Sequence, residues 1–368
     1  LNISGGSEKA IFNGSFSQFN QDGIMPFTNY KNYSVKVGGE FRFSSKFRLN
    51  TSVNYIKSGG RRANADRYNE NLTYFSPRWD IWDYKKPDGT QKTIEGSGNE
   101  NPIFVLEQKN YKDDVDRIIS NASFVYSPVK WLDINYRFGT DIYNDSRRLT
   151  TPGPLSKPGE LYPASDLGYG TVYEYSAKNT VINSTFMLNF KNKIGNHLES
   201  SFKIGHDVYT TEKTSVNTKG DTLIVPTFFQ LSNAKRVLAE NKITQYRIVG
   251  LFGDWTLGWD NYLYLTLTGR NDFTSTLSKD NRSFFYPSAS LSWVFSENFK
   301  LPTWMTFGKL RFSAAKIGKD ALPYSLSSGY NIGTREEYEG DESSSAPLTN
   351  GVRPFNLDPN TGDLGLVP

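Results

Sequence analysis

Alternation of apolar and polar residues over long segments constrains the fold of this chain more than any other feature. In residues 33–43 the odd-numbered positions are mainly apolar, whereas the even-numbered positions are mainly Ser, Lys, Glu and Arg. Successive side chains of a β-strand point to opposite faces, so this pattern predicts a strand with one apolar and one polar face, and helical spacing does not fit it. The same alternation recurs in residues 47–55, 132–142, 182–190 and 198–208.

The length of these segments separates two kinds of β protein. A soluble β-sandwich also has strands with one wet face and one buried face. Each alternating segment, however, covers about 11 residues, which is enough for a tilted strand to cross an apolar band ~25 Å tall. Strands of soluble proteins average only about 5–6 residues. The segments therefore favour strands that cross a membrane.

The connections between the segments alternate between short and long. Tight links at residues 44–46, 127–130, 191–196 and 258–261 are separated by long links at residues 57–115, 144–172 and 210–242. Antiparallel membrane barrels have short periplasmic turns on one rim and longer extracellular loops on the other, with aromatic girdles at the interfaces. Aromatic residues near the tight links fit such a girdle: Phe43, Phe47, Trp131, Trp255, Trp259, Tyr262, Phe295, Phe299 and Trp304.

These patterns predict an all-β fold, an antiparallel transmembrane β-barrel wall. We expect about twelve strands. We also expect that the first and last strands do not pair with each other. Residues 321–368 are rich in Gly, Ser, Pro and acidic residues, and they predict an extracellular loop or tail without a further convincing strand. The predicted strands lie near residues 1–4, 10–19, 31–43, 47–56, 117–126, 131–143, 175–190, 197–209, 243–257, 262–273, 285–295 and 307–317.

The composition argues against several other classes of protein. The chain has no cysteine, which removes disulfides, Cys-ligated zinc and thiol nucleophiles. Its net charge is +4 without a basic cluster, so no nucleic-acid partner is expected. No segment approaches the roughly 18 consecutive apolar residues of a membrane helix.

No residues with catalytic or metal-binding spacing stand out. Only two histidines are present, His197 and His206, and no third ligand lies near them in the sequence. We therefore predict neither a metal site nor an enzyme, and no cofactor. Two acidic runs, Asp113-Asp114-Asp116 and residues 336–342, could offer oxygen ligands to Ca²⁺ but lack EF-hand spacing. Solvated loop charge is the favoured interpretation of both runs.

The long predicted loop at residues 57–115 carries the candidate ligand-binding site. Long loops on a barrel rim often serve binding. Exposed Trp and Tyr rings can cover the apolar faces of sugars or peptides, while carboxylates accept hydrogen bonds from hydroxyl or amide groups. The alternatives are that these aromatic residues form a small core within the loop or dock on a partner protein. The candidate residues are Arg78, Trp79, Asp80, Trp82, Asp83 and Tyr84.

Several short motifs follow one another in a characteristic order along residues 1–320. They are Gln21-Asp22-Gly23, Asn101-Pro102-Ile103-Phe104-Val105-Leu106, Tyr136-Arg137-Phe138-Gly139-Thr140-Asp141, Arg270-Asn271-Asp272, Tyr286-Pro287-Ser288-Ala289-Ser290 and Ile317-Gly318-Lys319-Asp320. In this order they resemble the barrel of SusC-like (RagA/SusC) TonB-dependent transporters, and the resemblance covers residues 1–320. The pattern of two serines that follows Arg-x-Asp in the family is kept only in part, by Ser275.

The resemblance implies a function and a set of partners. It implies the barrel portion of an outer-membrane nutrient importer from a Gram-negative bacterium of the Bacteroidota, with oligosaccharide or peptide substrates. A SusD-like surface lipoprotein and the TonB-ExbB-ExbD complex would be its protein partners, and lipid or lipopolysaccharide would surround it. Residues 1–320 would form barrel strands and loops, about twelve of an expected 22 strands. Residues 321–368 would lead to further strands, with the plug and N-terminal domains outside this chain. A non-transporting barrel that acts as an adhesin or assembly scaffold is the alternative.

Overall fold

The computed structural model describes residues 1–63, 65–92, 100–153, 170–299, 301–332, 355–357 and 362–368. Twelve antiparallel strands form one sheet, and each strand pairs with its neighbours in sequence. The strands are β1 (Asn2–Gly6), β2 (Ala10–Asp22), β3 (Asn29–Arg42), β4 (Phe47–Arg62), β5 (Asn110–Val129), β6 (Leu132–Thr151), β7 (Thr171–Ile194), β8 (Leu198–Leu223), β9 (Ala234–Trp259), β10 (Leu263–Thr274), β11 (Ser283–Trp293) and β12 (Leu310–Ala315). The predicted all-β fold and its twelve strands are confirmed.

Several strands are longer than predicted, chiefly at the end away from the short turns. β6 and β7 stay paired up to Thr151 and Thr171, and β8 and β9 up to Leu223 and Ala234. The predicted long links at residues 144–172 and 210–242 therefore contain strand at residues 144–151, 171–172, 210–223 and 234–242, and the prediction of loop was wrong for these residues. Beyond an apolar belt the ladder hydrogen bonds continue while polar residues occupy both faces, so the alternation that marks a strand is lost.

Two short helices lie in the first long connection, where the sequence analysis predicted only loop. They are α1 (Ala65–Tyr74) and α2 (Pro102–Gln108). Two three-residue strands, β13 (Tyr330–Ile332) and β14 (Phe355–Leu357), pair in the tail, where no further strand was predicted. Three residues are too few to show the two-residue alternation of polarity that predicts a strand. Among the described residues, no helix combines the length and the apolar character needed to span a membrane.

The strand register places the predicted apolar faces on one side of the sheet. Val37 lies opposite Val53, and Leu188 lies opposite Ile204. These side chains remain accessible, with Val37 59% and Ile204 47% exposed. We call this side of the sheet the apolar face. Its other exposed members include Phe12, Phe16, Val35, Ile118, Tyr136, Phe138, Ile182, Phe202, Leu251, Trp255, Leu265, Leu267, Leu291 and Phe312.

Aromatic rings contact one another along the edge of the apolar face that carries the short turns. Phe43 stacks on Phe47 with ring centroids 5.4 Å apart, and Phe47 lies 6.4 Å from Phe124. Further along, Phe190 lies 6.2 Å from Trp131 and 6.3 Å from Phe202. The aromatic residues predicted near the tight links therefore include members of two such groups of contacting rings. Rings of this kind favour the level of the lipid headgroups.

The opposite side of the sheet, the polar face, carries charged and hydroxyl side chains that bond to one another. Lys203 Nζ lies 3.1 Å from Asp254 Oδ1, and Thr185 Oγ1 donates to Asp207 Oδ1 at 2.7 Å. β1 and β12 form the two edges of the sheet, and no pairing between them occurs in the described residues. This agrees with the expectation that the first and last strands do not pair.

Candidate functional site

The connection between β4 and β5 folds around the buried helix α2. Asn101 caps the helix, since its Oδ1 accepts hydrogen bonds from the backbone N–H of Ile103 at 2.9 Å and of Phe104 at 3.3 Å. Pro102 occupies the first turn, where the missing N–H has no cost. Every side chain from Pro102 to Leu106 is buried, and Phe75 at the end of the preceding segment is buried as well.

Four hydrogen bonds fix α2 to the end of β4 and to the segment before the helix. The Arg61 guanidinium donates to the carbonyl oxygens of Leu106 at 2.7 Å and Glu107 at 2.8 Å, which lie at the C-terminal end of the helix. Burial lowers the pKa of Arg61. Asn101 Nδ2 donates to the carbonyl of Ile81 at 3.0 Å, and the Asn101 N–H donates to Gln91 Oε1 at 2.7 Å. The loop is thus a packed unit with its own core.

The candidate binding residues lie in the turns just before this anchored segment. The rings of Trp79 and Trp82 are 46% and 57% exposed. Asp80 Oδ1 accepts from the Trp82 N–H at 2.9 Å, and Asp83 forms an ion pair with Lys92. Arg78 is exposed and Tyr84 is half-buried, with the Tyr84 hydroxyl 3.3 Å from Glu107 Oε1.

This arrangement gives the two tryptophans and the neighbouring acids different surroundings. Phe75 and α2 form the core of the loop, whereas Trp79 and Trp82 lie outside it. Asp80 and Asp83 are engaged within the loop and offer their remaining oxygen lone pairs. The role of these residues in ligand binding stays a prediction.

Removing the Asn101 side chain is expected to loosen this loop. In Asn101→Ala the N-terminal N–H groups of α2 and the Ile81 carbonyl lose buried partners, so the loop should lose about 1–3 kcal/mol of local stability. Faster amide hydrogen exchange over residues 101–108 would show this loss of local stability. Thr73→Ala, at an exposed position of α1, is the control, expected to stay within about 0.5 kcal/mol. Equal exchange in both variants would contradict the assigned cap.

The polar face contains three groups that the sequence analysis missed, each with one Arg, one Asp and one Tyr. We call them the Arg–Asp–Tyr triads. In each, the guanidinium bonds to the carboxylate and lies over the Tyr ring, at 4.8, 5.9 and 5.3 Å from the ring centroid in turn. They are Arg62–Asp113–Tyr30, Arg117–Asp141–Tyr143 and Arg147–Asp145–Tyr175.

A carboxylate hub on the polar face is centred on Asp320, the last residue of one of the family-like motifs. Asp320 Oδ2 accepts hydrogen bonds from the hydroxyls of Tyr246 at 2.9 Å, Thr274 at 2.6 Å and Thr276 at 3.2 Å. Asp320 thus ties the segment that follows β12 to the middle of β9 and to the end of β10, next to Arg270-Asn271-Asp272.

The structure adds no metal-binding group among the residues it describes. His197 Nδ1 lies 2.6 Å from Asp260 Oδ1 at the short turns, and the His206 ring stacks on Phe186. The other acidic residues considered for Ca²⁺, residues 336–342, lie outside the described residues.

The run Asp113-Asp114-Asp116 is not loop charge, so that interpretation was wrong. All three residues belong to β5, where Asp113 pairs with Arg62 and the other two with Lys57.

The chain is similar in sequence to two curated proteins from Formosa agariphila. TonB-dependent receptor P26 is 27% identical over 333 residues, and TonB-dependent receptor P3 is 23% identical over 357 residues. Each match covers 88% of this chain and 33% of the relative. This chain therefore spans about a third of the length of these relatives. No protein-family model matches the chain.

Solved structures of the RagAB peptide importer share the fold. The "closed-closed" state matches with a TM-score of 0.78 and 17% identity over 100% of this chain and 40% of that chain. The "open-open" state matches with a TM-score of 0.74 and 18% identity over 99% of this chain and 39% of that chain. The resemblance to the barrel of SusC-like TonB-dependent transporters is thereby confirmed.

Proposed function

We propose that this chain forms part of the barrel wall of a TonB-dependent outer-membrane nutrient importer. The observation that carries the proposal is the two-faced sheet. Twelve strands expose an apolar face edged by aromatic rings on one side and bond polar side chains to one another on the other. The similarity to two TonB-dependent receptors supports the same function.

The physical basis is the preference of each face for its solvent. Exposing apolar area to water costs roughly 25 cal/mol per Å², so such a face favours hydrocarbon. A polar face within a closed barrel would face a wet or plugged interior. The outer membrane of a Gram-negative bacterium of the Bacteroidota is the location that this arrangement and the relatives support.

The substrates and partners follow from the family resemblance. We propose oligosaccharides or peptides as substrates, a SusD-like lipoprotein as the surface partner and the TonB-ExbB-ExbD complex as the energy source. RagAB is described as a peptide importer, which supports the same class of cargo. The packed loop between β4 and β5 would meet the substrate on the extracellular side.

The test is uptake by the full-length protein that contains this chain. Cells that express it with its lipoprotein partner should import short glycans or peptides, and loss of TonB or of the proton gradient should stop import. An adhesin or assembly scaffold would instead bind a surface or protein without energy-dependent uptake. Surface display with no such uptake would contradict the proposed importer.

Replacing Trp79 and Trp82 together with Ala is expected to weaken substrate capture at the loop. Both rings are exposed, so their loss should leave assembly intact while binding falls about tenfold or more, since each large ring contributes up to several kcal/mol at a binding hot spot. Substrate affinity and heat-modifiable gel mobility of the full-length protein are the measurements. The control is Tyr74→Ala, an exposed ring at the end of α1.

Two results would contradict the assignment of these tryptophans to ligand capture. Loss of assembly would make the two rings structural. Unchanged binding and uptake would leave them available for a partner protein.

A further inference from the structure

The three Arg–Asp–Tyr triads form one continuous patch at the ends of β3 to β7 that lie away from the short turns. Arg147 lies opposite Asp113 on β5 and opposite Tyr175 on β7. Arg117 lies opposite Tyr143 on β6. Arg147 of the third triad is thus a direct cross-strand neighbour of Asp113 of the first. Tyr143 of the second triad lies two residues before Asp145 of the third, on the same face of β6.

Each cation in the patch is neutralised by its own carboxylate. Arg62 contacts Asp113 through Nε at 2.7 Å and Nη2 at 3.0 Å. Arg147 contacts Asp145 through Nε at 3.0 Å and Nη2 at 2.8 Å. Arg117 reaches both carboxylate oxygens of Asp141 in the same forked manner. Such bidentate pairs are among the stronger ion pairs in proteins.

The carboxylates lie deeper in the patch than the guanidinium groups. Asp113, Asp141 and Asp145 side chains are 17%, 25% and 11% exposed, whereas their Arg partners are 37%, 42% and 44% exposed. A ligand on this surface would therefore meet guanidinium N–H groups and tyrosine rings. The negative charges lie beneath them.

The guanidinium groups are also held in place. A ring on one side and a carboxylate on the other restrict each side chain, and Arg147 Nη1 in addition donates to the Tyr111 hydroxyl at 3.4 Å. Side chains that are already ordered lose little entropy when they contact a ligand. The patch is thus a pre-organised surface with no net charge among its triads.

We propose that this patch is a contact surface for an uncharged, hydroxyl-rich ligand segment, such as part of a neutral oligosaccharide. An anionic segment would find each cation already paired, and a cationic one would find each carboxylate covered. A charge that loses water without gaining a partner is penalised. Hydroxyl groups can accept from the free guanidinium N–H groups and exchange hydrogen bonds with tyrosine hydroxyls, while the rings cover apolar sugar faces. The assignment of this patch to ligand contact rests on the proposed import function.

The test uses the full-length protein in detergent with two probes. One is a mixed pool of short neutral gluco-, manno-, galacto- and xylo-oligosaccharides, and the other is a pool of short uronic acid oligomers. The neutral pool should bind at least about tenfold more tightly than the uronate pool, the size expected of a penalty for an unpaired charge.

Variants distinguish triads that bind ligand from triads that only stabilise the barrel wall. The double variant Tyr143→Ala/Tyr175→Ala should lose about tenfold in affinity for the neutral pool. Tyr209→Ala, on the polar face outside the triads, should leave the affinity for the neutral pool unchanged. Asp145→Asn frees Arg147 and should gain affinity for the uronate pool.

The contradicting outcomes are equally specific. Equal binding of the two pools by the unaltered protein would overturn the proposal. So would a double variant that melts at a lower temperature but binds the neutral pool unchanged, since the triads would then only brace the wall. Binding in detergent needs no energy source. If the protein binds the neutral pool but cells show no TonB-dependent uptake, the proposed import function is refuted and the proposed binding patch is not.

Discussion

Replacing Phe138 with Lys should destabilise the assembled barrel by ~2–4 kcal/mol, the cost of a basic side chain on the lipid face near the bilayer midplane. Phe138 lies in the part of β6 nearest the short turns, opposite Ala122 and Ser184, and its ring belongs to the apolar face. Tyr136→Lys should behave similarly, because Tyr136 points to the same side.

Arg137 provides the matched control for this substitution. It lies between Tyr136 and Phe138 on β6 but on the polar face, opposite Ser123 and Thr185. Arg137→Gln should therefore change the free energy of unfolding by only about 0.5 kcal/mol, as exposed surface substitutions do. Urea unfolding of the full-length protein in lipid vesicles measures both. Equal sensitivity at positions 137 and 138 would contradict the assignment of the faces.

Residues 1–368, expressed alone, should fail to form a heat-modifiable barrel in lipid vesicles. β1 and β12 leave two sheet edges without a partner strand among the described residues. Each unpaired backbone group in hydrocarbon costs several kcal/mol, so a spanning sheet must close. The penalty over a whole edge exceeds the stability of an ordinary domain of about 5–15 kcal/mol.

The full-length protein in the same vesicles is the control and should show the mobility shift of a folded barrel. A twelve-stranded barrel closed by the chain itself is the competing structure. A stable, heat-modifiable product from residues 1–368, with disulfide cross-linking between cysteines placed on β1 and β12, would establish that structure and refute the open wall.

The sequence predicted the membrane-facing part of the fold well because alternation there has a physical cause. Tyr136 and Phe138 must face one solvent, and Arg137 must face another, so neighbouring residues differ sharply in polarity. In residues 144–151 of β6 and 210–223 of β8 most positions on both faces are polar, so the alternation is lost and nothing in the sequence marks where the strands end.

The connection between β4 and β5 shows a different limit of prediction from the sequence. Asn101 followed by Pro102 is a helix-start signal, but the apolar run of residues 103–106 is too short to distinguish a buried helix from a strand. The exposed tryptophans were found because they stand out by residue type. The buried core that supports them depends on contacts between distant segments.

The triads could not be found in the sequence for a related reason. Arg62 and Asp113 are 51 residues apart, and Arg117 and Asp141 are 24 residues apart. They meet only because the register of neighbouring strands brings them together. One signal was nevertheless available: the aromatic residues at the polar positions of the alternating strands are often Tyr, as at Tyr143 and Tyr175.

The central claim, that the apolar face contacts lipid and the polar face does not, can be measured directly because the chain has no cysteine. Single cysteines introduced at each position from 134 to 142 of the full-length protein, in intact outer membranes, can be labelled with a lipid-soluble or a charged, water-soluble maleimide. Labelling by the lipid-soluble reagent should peak at the even positions, and labelling by the charged reagent should peak at the odd positions. Uniform labelling along β6, or the opposite alternation, would contradict the account.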